Sequence, residues 1–154
     1  MKAVIQRVSS ASVEVDGKII GSCNKGYMVL LGAAEGDTEA DAEILAKKIS
    51  NLRIFCDEND KMNLSILDVD GEILAISQFT LLADVKKGNR PSFINALEPV
   101  NAERLYKYFC EKLREAGVKK VDEGEFGADM NVSLVNQGPV TILYDTEIWR
   151  KNGN

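Results

Sequence analysis

The chain has 154 residues, 45% hydrophobic and 28% charged, with 19 Lys and Arg against 24 Asp and Glu for a formal charge of -5. That is the profile of a single soluble domain spanning 1–154, long enough to bury roughly 70% of its unfolded surface without disulfides or a structural metal. Histidine is absent, which excludes Ser-His-Asp and Cys-His machinery, His-ligated zinc and any general base whose unperturbed pKa lies near neutrality.

In chain order, the N-terminal stretch carries Lys2, Gln6 and Arg7 among its apolar positions and has no signal-peptide core. The longest apolar run, Tyr27 to Ala34, falls far short of the ~20 residues of a membrane span. Cys23, Cys56 and Cys110 are odd in number and lack C-x-x-C spacing, so they are expected to be buried thiols in a reducing compartment. The expected location is the cytoplasm, with no membrane contact.

Val4, Gln6 and Val8, then Val13 and Val15, alternate with outward positions, and Asp16-Gly17 before Ile19 and Ile20 predicts a hairpin. Tyr27 to Gly32 is predicted as a buried strand. Thr38 and Asp41 have capping-box spacing ahead of the apolar stripe Ala42, Leu45, Ala46 and Ile49, which predicts a helix over about 38–50. Short strands are predicted over 52–56 and 65–69, and Asp70-Gly71 then predicts a hairpin into a strand over 72–81, with Ser77 to Leu81 at its far end. A second helix is predicted to use Asn101 as its cap, to bury Leu105, Tyr108, Phe109 and Leu113, and to stop at Gly117. Met130, Val132 and Leu134 alternate in a further strand that Asn136-Gln137-Gly138-Pro139 interrupts before Val140 to Tyr144.

Strands arriving in hairpins predict an α+β fold, a layered and partly barrel-like sheet with two principal helices, rather than a doubly wound sheet. No dinucleotide or P-loop glycine pattern is present, so no nucleotide cofactor is expected. Asp57, Glu58, Asn59 and Asp60 form an acidic turn, because Met62 stands where a calcium loop needs glycine; no metal is expected. Asp68 and Asp70 are read as hairpin chemistry. The acidic balance argues against DNA or any long nucleic-acid backbone, but Lys86, Lys87 and Arg90 around Gly88-Asn89 supply local positive charge compatible with gripping one short end.

Two segments concentrate polar residues where a sheet needs apolar ones: Ser77-Gln78-Phe79-Thr80-Leu81 and Asn136-Gln137-Gly138-Pro139-Val140-Thr141. Together they resemble the paired signatures of the D-aminoacyl-tRNA deacylase family. Gly88-Asn89-Arg90-Pro91-Ser92-Phe93 and the opening Met1 to Val8 are similar to further family segments, and the resemblance runs from residue 1 to about 145. It implies a homodimer, with active sites at the interface, that cleaves the ester joining a D-amino acid to the 3′ end of tRNA. It also implies a cis Gly138-Pro139 bond facing Ser77 to Thr80 of the other subunit, catalytic roles for Thr80, Gln78 and Ser77, and substrate contacts from Phe79, Gly138, Pro139, Asn136 and Met130. Glycyl-tRNA is an expected second substrate. Without imidazole, either the Thr80 hydroxyl attacks or the substrate's ribose 2′-hydroxyl helps activate water, with backbone amides around Phe79 and Thr80 as oxyanion donors. A noncatalytic dimeric binding module and an esterase for small free D-amino acid esters or peptides are the competing readings.

Overall fold

The computed structural model describes residues 1–150; the last four positions of the predicted domain lie outside the described residues. Strand β1 (Lys2–Val15) runs unbroken for 14 residues and organises the sheet. One edge pairs antiparallel first with β3 (Gly26–Gly32) and then with β2 (Lys18–Cys23), while the other edge pairs along most of its length with β8 (Asn131–Asp145). The β1–β2 hairpin turns on Asp16 and Gly17, both at positive φ (50° and 78°), the two-residue turn the Asp-Gly pair predicts.

The predicted phase of β1 is reversed in its first half. Ala3 and Ile5, not Val4, are fully buried, because that part of the strand faces the helices. Beyond Arg7 the strand serves a different core: Val8, Ala11 and Val13 pack with Met28, Leu74 and Ile76. One strand thus supplies two apolar clusters on opposite faces of the sheet.

Helix α1 (Glu39–Ser50) follows, with Thr38 as cap; the Thr38 amide donates to Asp41 Oδ2 at 2.9 Å, and Ala42, Leu45, Ala46 and Ile49 are buried as the stripe predicts. The 52–56 segment shortens to β4 (Phe55–Cys56), paired with β5 (Met62–Leu64). Asp57 Oδ1 accepts from the amides of Asn59 (2.8 Å) and Lys61 (3.1 Å), so the acidic cluster shapes this turn. The strand predicted over 65–69 is a turn instead. Ser65 N–H donates to Asp68 Oδ2 and Asp68 N–H donates to Ser65 Oγ, and this reciprocal capping outcompetes extension. Asp68 and Asp70 are structural, but they make no hairpin: β6 (Glu72–Ser77) enters parallel to β3, and β7 (Lys120–Glu123) lies parallel to β6. β6 also stops at Ser77, four residues short of expectation, where a 3-10 turn over Phe79–Leu82 begins.

Helix α2 (Pro99–Glu115) starts three residues earlier than predicted. Glu98, not Asn101, is its cap and accepts from the amides of Val100 and Asn101, with Pro99 in the first turn. Tyr106 is buried rather than Tyr108; the Tyr106 hydroxyl donates to Ala75 O at 2.6 Å and accepts from Gly124 N–H at 3.2 Å, pinning α2 to β6. Tyr108 instead reaches Glu43 on α1. Both helices cover one face of the sheet. On the other face the sheet curls until β2 meets β7, with Ser22 N–H donating to Asp122 Oδ2 at 2.9 Å. The α+β, partly barrel-like expectation holds.

Cys23 and Cys110 are buried free thiols, but Cys56 is exposed, because β4 lies at the surface in a two-stranded ribbon rather than in the main sheet. No helix among the described residues is long and apolar enough to cross a membrane. Glu123 ties β7 to α2: Arg114 Nη2 donates to its Oε2 at 2.8 Å, and Lys107 Nζ sits 2.8 Å from Oε1 as an ion pair. Burial alone would raise the Glu123 pKa, but the Lys107 and Arg114 charges outweigh it and hold the carboxyl below its ordinary value. A carboxyl with a depressed folded-state pKa stabilises above its unfolded pKa and loses that contribution as pH falls through the folded value. Glu123→Gln should therefore lower the unfolding free energy at neutral pH by about 2 kcal/mol. The gap from the parent should close below about pH 4, as urea midpoints across pH would register.

Candidate active site

β3 and β6 run parallel and end together. The last bond of the pair passes one residue beyond β6, from Gln78 N–H to Leu31 O at 2.7 Å, and turns the chain into Phe79–Leu82. The turn packs against the end of β3 only because residue 32 is glycine: a Cβ there would stand 2.8 Å from Gln78 O. A 3-10 turn leaves its first amides without carbonyls behind them. Here those amides belong to Phe79 and Thr80, while Leu81 N–H is already satisfied by Gln78 O.

Beside this turn opens a cavity of about 480 Å³ lined by Leu31 to Ala33, Ser77 to Phe79, Phe93, the start of α2, and Phe126 to Ala128. Its wall is mostly apolar, and the Phe79 and Phe93 rings meet edge to face with centroids 5.0 Å apart. Phe79 remains 56% exposed, so the ring is available to a ligand. Gln78 Nε2 donates to Thr80 Oγ1. The amide NH2 is only a donor, so it orients the hydroxyl without being able to take its proton. Glu98 is the one carboxylate on the cavity wall, and both its oxygens are committed to capping α2. Burial pushes the Tyr106 phenol far above its ordinary pKa. The turn and the cavity beside it therefore combine donors, a hydroxyl and an apolar slot, with Thr80 standing next to the wall rather than in it, and among the described residues that wall has no uncommitted side-chain base.

The second predicted segment lies elsewhere on the chain. Gln6 pairs with Thr141 and Val8 with Asn136, so Gln137 to Val140 bulge out opposite the single residue Arg7. The Gly138-Pro139 bond is cis and Gly138 has φ 133°. Asn136 closes the bulge from within: its Oδ1 accepts Val140 N–H at 2.8 Å and its Nδ2 donates to Thr141 Oγ1 at 3.1 Å. Gln137, Gly138 and Pro139 are exposed on β8, which pairs with β1 alone and leaves its other edge open. Met130 packs beneath the second core cluster with Leu134. None of Met130, Asn136, Gly138 and Pro139 lines the cavity of the same chain. The structure thus brings Ser77, Gln78, Phe79 and Thr80 together, and places Asn136, Gly138 and Pro139 together at a separate surface.

Sequence reading missed Arg7. This side chain is 91% buried, from a relative exposure of 9%, and has no carboxylate partner among the described residues. Its Nε donates to Gln137 O at 3.0 Å and its Nη1 to Ile54 O at 2.6 Å. The guanidinium is satisfied by main-chain carbonyls and holds the bulge at its base. A run of apolar positions interrupted by one Arg in a strand was the available signal. Tyr106 and Phe126, which line the cavity, were likewise unmarked in sequence, and Phe93 stood out only as the end of the Gly88–Phe93 segment.

Residues 4–145 match the family model described as D-Tyr-tRNA(Tyr) deacylase. The chain is 56% identical over 147 residues to a D-aminoacyl-tRNA deacylase of Thermosipho melanesiensis, covering 96% of this chain and 98% of the relative. It is 57% identical over 146 residues to one from Aquifex aeolicus, covering 95% and 98%. Among solved structures, one described as "c-Myc DNA Unwinding Element Binding Protein" superposes with TM-score 0.89 at 45% identity, covering 94% of this chain and 98% of that one. A probable eukaryotic D-amino acid tRNA deacylase superposes at TM-score 0.79 with 18% identity, over 93% and 97% of the two chains; this second likeness concerns the fold alone.

The Arg7 contacts predict a measurable effect. Arg7→Met strands two carbonyls and should cost about 2–4 kcal/mol of stability. Arg7→Lys should fall between it and the parent, because one ammonium lacks the fork that spans both acceptors. Hydrogen exchange at the Val140 amide should quicken in both variants. Unchanged Val140 protection in Arg7→Met would show that Asn136 alone holds the bulge.

Proposed function

The chain belongs to the D-Tyr-tRNA(Tyr) deacylase family, and from that premise we propose that this hydrolase cleaves the ester between a D-amino acid and the terminal adenosine of tRNA, in the cytoplasm, as a proofreading step of translation. The observation that carries the reading is the junction of the Ser77–Thr80 turn with the apolar cavity. A flat nucleobase suits the slot beside Phe79 and Phe93, and its ribose 3′-ester then lies near the orphan amides of Phe79 and Thr80. Those amides are the donors for the carbonyl oxygen as negative charge develops on it. Ser77 and Gln78 position the ribose and the Thr80 hydroxyl.

The attacking group is water. Activating Thr80 as a nucleophile needs a group to accept its proton; Gln78 Nε2 donates to its oxygen, and Glu98 is committed to α2. The remaining acceptor at the ester is the neighbouring ribose 2′-hydroxyl, which relays a proton between the water and the leaving 3′-oxygen. Thr80 positions; the substrate assists.

Handedness comes from the bulge. Gly138 and Pro139 are exposed on an edge strand that is open to pairing, and they are absent from the cavity of their own chain. We assign them to the active site of a second copy, so that the working unit is a homodimer. There they occupy the place of an L side chain and reject it by collision, which discriminates for side chains of every size where added contacts to the correct one do not. The D side chain points outward and goes unread. Glycine, having no side chain to collide, passes as well. The 45%-identical structure named for DNA binding raises a nucleic-acid duplex as partner; a formal charge of -5 disfavours the many phosphate contacts such binding rests on.

Purified protein should release tyrosine rapidly from D-tyrosyl-tRNA and not from L-tyrosyl-tRNA. It should sediment as a dimer of the 16.9 kDa chain. In Gly138→Ala the added Cβ meets Arg7 Nη2 at 2.9 Å and Val140 Cγ2 at 2.7 Å, at a φ that L residues rarely adopt, so the bulge shifts and the D-to-L rate ratio should narrow. Equal release of both forms by the parent would leave an esterase without the filter; release of neither by folded dimer would favour a binding module.

A second test separates the two attack routes. Thr80→Ala should keep most of its single-turnover rate, whereas D-tyrosyl-tRNA ending in 2′-deoxyadenosine should react at least about 100-fold more slowly, the usual size of an acid–base contribution. Complete loss in Thr80→Ala with intact tRNA binding would identify Thr80 as nucleophile.

A further inference from the structure

One charged feature is absorbed neither by the fold nor by the catalytic site. The loop 85–91 leaves the active-site turn through Ala83 and Asp84 and returns at Ser92, one residue before Phe93. Asp84 and Ser92 close it with two backbone hydrogen bonds, Asp84 N–H to Ser92 O at 2.7 Å and Ser92 N–H to Asp84 O at 2.9 Å. Both anchors therefore belong to the site: on one side the turn that carries Phe79 and Thr80, on the other the Phe93 ring that packs against Phe79. The loop is a spur fixed at both ends to the cavity wall.

Its charge is one-sided. Lys86, Lys87 and Arg90 are all exposed, and no acidic residue occurs from Val85 to Leu97. Asp84, at the base, turns its Oδ1 to the Lys86 amide at 3.0 Å, so it serves the loop's backbone rather than a cationic head. Among the described residues no ion pair involves any of the three, although the chain carries 24 acidic side chains. Gly88, at φ 65°, folds the tip so that the cations stand on either side of it. Seven residues closed at the base reach at most ~12 Å outward, which keeps the charges close to the cavity mouth.

We propose that this loop is a clamp for the RNA strand that leaves the cavity, binding the phosphodiesters immediately 5′ of the terminal nucleotide. The inference rests on the deacylase reading and adds a second contact to it. An adenosine seated beside Phe79 and Phe93 carries a polyanionic strand out past the loop attached to those same residues. Two lysines and one arginine without base-reading partners contact phosphate and position the strand without selecting sequence. Three cations give a salt dependence of log affinity on log salt with a slope of about -2 for a single strand, shallow beside that of a duplex-binding protein.

The test uses the full chain and the triple variant Lys86→Ala, Lys87→Ala, Arg90→Ala. Single-turnover kcat/KM is measured on D-tyrosyl-tRNA and on the 3′-D-tyrosyl ester of adenosine, which has no phosphate, from low to moderate salt. The clamp requires at least a tenfold loss on the tRNA ester, a change of less than twofold on the adenosine ester, and a salt slope on the tRNA ester that flattens by about 2. Equal losses on both esters would mean that the loop merely supports the Phe93 wall, and no loss on either would mean that it is idle; both overturn the proposal. A direct binding arm keeps the clamp distinct from catalysis: fluorescence anisotropy of an uncharged single-stranded RNA ending in CCA should show the same loss of affinity in the triple variant, even were the parent to hydrolyse nothing. Unchanged RNA affinity, or loss only toward duplex DNA of equal length, would overturn it.

Discussion

A buried cation with no counter-ion among the described residues sets the geometry of the bulge on which half of the proposed site depends. Taking a guanidinium out of water is costly unless its donors are satisfied, and Arg7 meets that demand with the carbonyls of Ile54 and Gln137. These acceptors lie 47 and 130 positions away in sequence, so one side chain ties β1 to the approach to β4 and to the bulge of β8. The same residue marks the point where β1 stops serving the helix-covered core and starts serving the core inside the curled sheet. Displacing Arg7 therefore disturbs the register, both cores' boundary and the outward bulge together, which makes it a constraint on the fold before it is a contributor to any chemistry.

The other half of the site follows from strand ends. Parallel strands finishing side by side leave unpaired backbone beyond their C-termini, the usual place for a ligand in such sheets. Here β3 and β6 do so, and the Gln78 to Leu31 bond turns that backbone into a rigid 3-10 turn. On the proposed mechanism, a chain without histidine hydrolyses its ester with fixed amides, one oriented hydroxyl and the substrate itself. The arrangement is consistent in its economy: each titratable group at the cavity wall is either committed to capping α2, as Glu98 is, or buried and hydrogen-bonded, as Tyr106 is. Catalysis by preorganised dipoles requires no proton to be held in advance by the protein.

What was legible in the sequence follows how local each determinant is. The Asp16-Gly17 turn and the Thr38/Asp41 cap involve residues within three positions of one another, and both stand as read. Ser65 to Val69 failed because Ile66, Leu67 and Val69 look like strand formers, while the deciding contact is a pair of side-chain bonds between Ser65 and Asp68 that favours a turn. Asp70-Gly71 looked like a hairpin because nothing local distinguishes a turn into an antiparallel partner from a turn into a parallel one; the partner, β3, lies some 45 residues upstream. Tyr106 and Tyr108 share a helix, and Tyr106 is the one that falls in the buried stripe of Ala102, Leu105, Phe109 and Leu113, where its hydroxyl reaches Ala75 O. The Ser77–Thr80 and Asn136–Pro139 segments stood out because polar groups and a proline are anomalous in strands. Arg7 could not be assigned, since a strand arginine looks the same whether it faces water or two distant carbonyls.

Placing the bulge and the cavity on different faces of one chain has a consequence for specificity. Were Gly138-Pro139 fixed beside Thr80 within a single chain, selectivity and catalysis would be built into one packed unit and present whenever that unit folds. With the bulge on the open edge of β8, the proposed filter would reach the catalytic turn only by association, and a dissociated chain would then lack the element proposed to discriminate between mirror-image substrates. Charge points the same way. An overall charge of -5 weakens nonspecific attraction to RNA at large, while three cations confined to one loop favour a strand only where its end can enter the adjoining slot. On the proposed reading, binding strength is thus kept low over the body of the substrate and concentrated at the end where handedness would be decided, the distribution an enzyme needs when its substrates differ from other RNAs only at that end.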